Sequence, residues 1–401
     1  MKIDRMLPLR EAEASPRPPP SGFALLATGF RPFYLLASLF AALSIPLWAL
    51  QFSGLLGRPY LAGPVWHAHE MLFGFTLAVI VGFLFTAGRN WTGRPTPAGW
   101  PLAALALLWI AARVLVLTPY PVAAAVANVA FPLAAAIGLA IPFVQAGNRR
   151  NYFFVVLLML LAVAAAFIHL SQLGLVALPA GLGIQVALDV VLFIVAVMAG
   201  RVIPMFTNNG VPGARATRRT AVERAALASV LALLVLDALG WNGAPVLVVA
   251  LAACVAHASR WALWQPWRTL RVPLVWVLHA AYLWVPIHLL LRGLGELGWI
   301  APSLATHALT VGAAGGLIIG MMTRTARGHT GRPLRADRFE TLCYAFVLLA
   351  AVVRVALPLV APDLTLAAIL GSAALWSAGF GLYAIRYAPL LTRPRADGQP
   401  G

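Results

Sequence analysis

Twelve apolar stretches, separated by short segments rich in Pro, Gly and Arg, constrain this chain more than any other feature. They fall at 33–51, 66–88, 99–117, 123–144, 153–175, 182–205, 225–240, 243–263, 273–292, 301–323, 339–360 and 364–386. A helix needs about 20 apolar residues to cross the hydrocarbon core of a bilayer. Within that core every backbone N–H and C=O must be satisfied inside the segment, so such stretches become helices. The breaks lie between them, at Arg58-Pro59, Arg94-Pro95, Pro119, Arg149-Arg150, Pro179, Pro212-Gly213, Pro245, Pro266, Pro302, Pro333 and Pro362. Composition agrees: 61% of the 401 residues are hydrophobic and only 10% charged, against about 25% charged in a soluble domain. Mean hydropathy is +0.87. A soluble fold cannot hide that much apolar surface, and disordered or disulfide-stapled classes are excluded as well. The expected fold is an all-α polytopic membrane protein with about twelve transmembrane helices in a lipid bilayer.

The net charge of +17 would point to nucleic acid in a soluble protein. Here the positions of the basic residues outweigh their number. The N-terminal tail, the even-numbered loops and the C-terminal tail carry nearly all of the 29 Lys and Arg; Arg58, Arg113, Arg292 and Arg354 fall elsewhere. That alternation predicts both termini cytoplasmic and no nucleic-acid partner. Residues 1–22, with Arg5, Arg10, Arg17 and Pro18-Pro19-Pro20, lack a signal-peptide pattern and read as a flexible cytoplasmic tail. A single membrane domain over 23–386 and a second cytoplasmic tail over 387–401 complete the division. Cys254 and Cys343 sit in apolar runs without CxxC or CxxCH, so neither a disulfide framework nor a covalent c-type haem is expected.

An internal repeat is legible. A shift of 238 residues superposes the second helix on the tenth: His69 meets His307, Gly74 meets Gly312, Gly82 meets Gly320 and Arg89 meets Arg327. The tails Thr92-Gly93-Arg94-Pro95 and Thr330-Gly331-Arg332-Pro333 then coincide. The sixth helix fits between, with Gly200 lying 118 after Gly82 and 120 before Gly320. His169 and His288 are 119 apart, and Arg113 and Arg354 are 241 apart. The pattern predicts three parallel four-helix units, approximately 29–150, 151–271 and 272–386, around a pseudo-threefold axis along the membrane normal.

Eight His in so apolar a chain invite a cofactor argument. The second helix opens with Trp66-His67-Ala68-His69-Glu70-Met71, and His69 and His307 fall at similar depth near the outer boundary. Two neutral His facing each other across a flat macrocycle hold a bis-imidazole haem. Gly74 and the run Gly312-Ala313-Ala314-Gly315-Gly316 would let a wide ring approach the backbone; tight helix packing is the competing use of such residues. His67 and His69, two apart on a helix, point about 200° away from each other and would serve two neighbouring sites. Glu70 can ligate a metal or orient a His ring. His169 and His288 join the same outer layer, so a copper site drawing on His67, His169 or His288 is open. His257, His279 and His329 read as satisfied or solvated. Arg113 and Arg354 read as pairing groups near the outer ends, with a haem propionate as the sharper alternative. Asp189 is a further ionisable group at membrane depth. Met205, Met321 and Met322 read as packing, and Asn208-Asn209-Gly210 as a turn ending the sixth helix.

The segments GFRPFYLLA (29–37), WHAHEMLFGF (66–75), GRNWTGRP (88–95), GRVIPMFTNNG (200–210) and HALTVGAAGGLIIGMMTRTARGHTGRPL (307–334) resemble the NnrS family. That resemblance implies a bacterial inner-membrane, multi-pass protein that binds haem and copper. It also implies an association with nitric oxide metabolism and resistance to nitrosative stress. It supplies a context rather than a reaction. A looser resemblance is to the catalytic subunit of haem-copper oxidases and nitric oxide reductases. That subunit has twelve helices in three arcs, with a low-spin haem held by His from helices 2 and 10, the places of His69 and His307. This chain departs from that pattern. Its His-x-His pair lies on the second helix rather than the tenth, and its sixth and seventh helices carry no His, so a binuclear gas-reducing centre does not carry over.

The expected function is therefore a haem- and copper-binding membrane protein that handles nitric oxide, with an electron donor left unnamed. A transporter of metal, haem or another small solute is the alternative, since repeats and broken helices suit alternating access. A sensor or scaffold is weakened by the shortness of the cytoplasmic segments.

Overall fold

The computed structural model describes residues 22–52, 54–55 and 59–399. Residues 1–21 of the expected N-terminal tail, Arg58, and the last two residues of the expected C-terminal tail lie outside the described residues. Among the described residues the fold is all-helical.

Among the described residues ten helices are long and apolar enough to cross a membrane: α1 (Phe30–Gln51), α2 (Gly63–Thr92), α4 (Pro121–Gln145), α5 (Arg149–Gln172), α6 (Ala180–Gly210), α8 (Ala244–Arg268), α9 (Pro273–Glu296), α10 (Pro302–His329), α11 (Arg338–Val360) and α12 (Pro362–Thr392). Two more helices occupy the remaining expected positions. α3 (Trp100–Leu115) is apolar but has only 16 residues. α7 (Thr220–Ala238) carries Glu223, Arg224 and Asp237. Several helices outrun their expected bounds. α6 continues through Pro204 to Gly210, so the expected turn at Asn208-Asn209-Gly210 is helical. Asn208 instead closes the following loop, donating to the Ala216 carbonyl at 3.0 Å and accepting from its amide at 2.8 Å. α10 runs on to His329, past the expected end at 323. α12 continues to Thr392, past the expected end at 386.

The chain closes on itself. α1 packs on α12 and α2, and neighbours in sequence pack onward through α11 and α12. Buried Arg31 donates to the carbonyls of Leu391 (3.0 Å) and Arg393 (2.7 Å), satisfying acceptors that a helix end leaves open. The amide of Ala24 reaches the carbonyl of Thr392 at 2.7 Å, so the two described ends meet.

α2 and α10 share an irregularity. Each starts as an α-helix, becomes a π-helix, and returns to α: Glu70–Thr76 in α2 and Ala308–Gly315 in α10. The two π segments begin 238 residues apart, immediately after His69 and His307. A π turn costs good backbone geometry and recurs at functional sites. Here side chains stabilise it. Trp109 Nε1 donates to the Gly74 carbonyl at 3.0 Å, and Thr76 Oγ1 donates to the Met71 carbonyl at 2.8 Å. The shared T-G-R-P tails also have one conformation. Thr92 and Thr330 each donate back to the carbonyl four residues earlier (2.7 and 2.6 Å), and Gly93 and Gly331 take φ of 64° and 71°. This left-handed turn is the usual glycine exit from a helix.

Candidate functional site

His67 and His69 lie on opposite sides of α2, as their spacing requires, and the two sides meet different partners. His67 faces a cavity of about 400 Å³, within the range of small-molecule sites (about 300–1,000 Å³). His307 and Arg354 line the same cavity, with Trp48, Met71 and Trp376 among its apolar walls. The His67 and His307 rings are 6.4 Å apart, centre to centre, with planes only 15° from parallel. A metal–imidazole bond of about 2 Å places two imidazoles on opposite sides of one metal about 6 Å apart by ring centres. The observed spacing fits. His307 Nδ1 donates to the Ser303 carbonyl at 2.6 Å, which leaves Nε2 as the lone-pair nitrogen. The His67 ring stacks on Trp48 at 4.7 Å. Arg354 makes no hydrogen bond or ion pair among the described residues. Its guanidinium is an unneutralised cation on the wall of a mostly apolar cavity.

The structure does not bring His69 to His307. His69 turns the other way, into a buried polar cluster between α2, α3, α4 and α5. Its Nδ1 is 2.8 Å from Glu70 Oε1, and Arg113 Nη1 donates to the same oxygen at 2.5 Å. Arg113 also donates to Asn128 Oδ1, while Asn128 Nδ2 donates to the Ala124 carbonyl at 2.8 Å. The rings of His69 and His169 meet edge to face at 5.0 Å, and His169 Nδ1 is held by the Tyr60 hydroxyl at 3.2 Å. Both imidazoles are tied down through Nδ1. Their Nε2 atoms, with Glu70 Oε2, are buried and lack a hydrogen-bond partner. Buried polar atoms are ordinarily satisfied, so orphaned ones ask for a ligand. Two neutral imidazoles with anchored Nδ1 and free Nε2 are what a soft or borderline metal ion takes. Among the described residues no set of three or more His, Cys, Asp or Glu is grouped for a metal, which limits the protein donors here to the two imidazoles.

A third cluster lies between α6, α7 and α9. Arg292 donates to Asp189 Oδ1 at 3.1 Å and to Asp237, and Gln185 Nε2 bridges the same two carboxylates at 3.2 and 3.3 Å. His288, expected in the outer His layer, donates or accepts nothing through Nε2; its Nδ1 is bound to the Ala305 carbonyl at 2.8 Å. His257 is held by the Tyr282 hydroxyl (2.6 Å) and the Ala226 carbonyl (3.1 Å), as a satisfied core His. His279 Nε2 meets the Thr207 hydroxyl at 2.8 Å.

The glycines expected to cradle a ring serve packing instead. A Cβ on Gly74 would lie 2.6 Å from the Phe40 ring and 2.9 Å from the Arg113 guanidinium. One on Gly312 would lie 2.4 Å from the Trp284 indole. Neither glycine lines the cavity. Tyr60, Asn128 and Asp237 were not among the expected site residues. Asp237 carried a signal: a carboxylate inside an apolar stretch at membrane depth.

No curated protein matches the chain. The model of one family, described as NnrS protein, matches residues 24–395, nearly the whole chain and every helix described above. This multi-pass, all-helical membrane protein, with its two histidine pairs on either side of α2, belongs to the NnrS family.

Proposed function

We propose that this protein binds haem and copper in the bacterial inner membrane and acts in nitric oxide metabolism or resistance to nitrosative stress. Family membership supports the link to nitric oxide. The cofactor reading rests on one observation: His67 and His307 face each other at 6.4 Å across a cavity that also presents the unpaired Arg354. Those two imidazoles would hold the haem, and the Arg354 guanidinium would receive a propionate. His69 and His169, with Glu70 alongside, would hold copper through the two free Nε2 atoms. Bound haem supplies a one-electron centre with affinity for nitric oxide. Arg113 and Glu70 fix the His69 tautomer, and Tyr60 does the same for His169. The apolar walls beside His67 and His307, Trp48, Met71 and Trp376 among them, would help keep water out of that cavity.

The topology completes the reading. α3 and α7 join the ten long helices as spans, giving twelve, with three four-helix units and both termini cytoplasmic. The meeting of Ala24 with Thr392 supports an even number of crossings. The matched π segments and T-G-R-P turns support the equivalence of α2 and α10. The sites would then lie toward the periplasmic side.

The deciding experiment is purification after haem- and copper-replete expression, with haem and metal analysis. The expected result is a Soret band lost in His67→Ala and in His307→Ala. Copper should be lost in His69→Ala and in His169→Ala while the Soret band stays. A protein without haem or copper under those conditions refutes the proposal. The transporter reading draws on the broken helices α2, α9 and α10; it would gain ground if the protein were cofactor-free and moved metal across liposomes.

A further inference from the structure

A second cavity, of about 100 Å³, lies where α2, α6 and α10 face one another. Its walls are Val79 and Ile80 of α2, Val195 and Ala199 of α6, and Leu317 and Met321 of α10, with their neighbours. Only two side-chain hydroxyls border it, those of Tyr34 and Thr76. The Thr76 hydroxyl is already spent on the Met71 carbonyl inside the π segment. A buried water needs two to four polar partners, and with the Thr76 proton spent the Tyr34 hydroxyl is the one polar group left to hold it. Apolar cavities of similar size, about 150 Å³, stay dry and take up benzene or xenon. Thr76 also lines the larger cavity that holds His67 and His307. The two spaces therefore meet at the π segment of α2.

We propose that this inner cavity is a binding site for a small apolar gas molecule and that it delivers that molecule past Thr76 to the His67–His307 cavity. The first half rests on the cavity alone. The second half rests on the reading that a haem occupies the larger cavity. Three features favour a diatomic gas over a longer ligand: the small volume, the apolar walls drawn from three helices, and the lack of any charged side chain along them. Entry is favourable because an apolar solute partitions from water into apolar surroundings.

The test uses crystals of the full-length protein pressurised with xenon, read by anomalous scattering. Xenon should appear between α2, α6 and α10 in the wild type and in Val195→Ala, which enlarges the space. It should be lost in Val195→Phe, which fills it. Absence of xenon from the wild-type cavity overturns the site, as does a lipid or detergent chain occupying it. A second arm measures carbon monoxide recombination after flash photolysis of the reduced, haem-loaded protein. Val195→Phe should slow the phase that depends on gas concentration without changing the absorption spectrum. Unchanged recombination, with xenon lost, overturns delivery and leaves the binding site standing. A haem-free protein that still binds xenon overturns the reading of the larger cavity instead.

Discussion

Arg113→Met removes the counter-charge of a carboxylate that has nowhere else to go. Glu70 is wholly buried and Arg113 nearly so, and they meet at 2.5 Å. An exposed ion pair is worth about 0.2–1 kcal/mol. Removing one partner of a buried pair costs about 3–5 kcal/mol, because the other charge stays buried and uncompensated. Asn128 loses its guanidinium partner at the same time. The expected loss corresponds to roughly a hundred- to several-thousand-fold in the folded-to-unfolded ratio. Glu70→Gln with Arg113→Met removes both charges and should recover much of that loss. The assay is reversible unfolding in mixed micelles, followed by the intrinsic fluorescence of the tryptophans. The reasoning is refuted if Arg113→Met costs less than about 1 kcal/mol, the exposed-pair value, or if the double variant is no more stable than the single one.

Other outcomes follow from the same geometry. Glu70→Gln keeps the volume but weakens the anchor on His69 Nδ1, and should lower metal affinity at the His69–His169 pair by about 10–100-fold, measured by competition with a chelator. Gly312→Ala places a Cβ 2.4 Å from the Trp284 indole and should destabilise the α9–α10 contact by about 1–3 kcal/mol; an unchanged unfolding curve would show that Trp284 can yield. At the C-terminal end, hydrogen bonds from Arg395 hold the Asp397 carboxyl down at about 2. A depressed carboxyl pKa stabilises the folded form above the unfolded value of about 3.9. That contribution fades as pH falls through about 2. A carboxyl titration of Asp397 by nuclear magnetic resonance should show the low midpoint in the wild type and a normal one in Arg395→Ala.

The sequence carried the helices because hydrocarbon leaves the backbone only one local solution, and each apolar run declares itself. It also carried the 238-residue spacing of His69 and His307, and the π segments that begin directly after each share that spacing. Which imidazole of the His67-Ala68-His69 pair faces His307 was not legible. Two residues apart on a helix means opposite faces, but the rotation of α2 against α10 depends on packing at a distance. Gly74 lies against the Phe40 ring of α1 and Gly312 against the Trp284 indole of α9, contacts between different helices. A periodic pattern cannot reveal them. Glu70 was visible as an isolated acid at membrane depth. Its partner Arg113 comes from α3, 43 residues on, and only the fold joins them. The Asp189–Arg292–Asp237 cluster has the same character: three separate helices each contribute one charge.

The claim that His67 and His307 form the haem site is tested most directly by electron paramagnetic resonance of the oxidised, haem-loaded protein. The wild type should give a low-spin ferric signal from two imidazole ligands. His67→Ala and His307→Ala should each abolish that signal or convert it to high spin, while His69→Ala leaves it intact. Loss of the low-spin signal in His69→Ala, with retention in His67→Ala, would contradict the account.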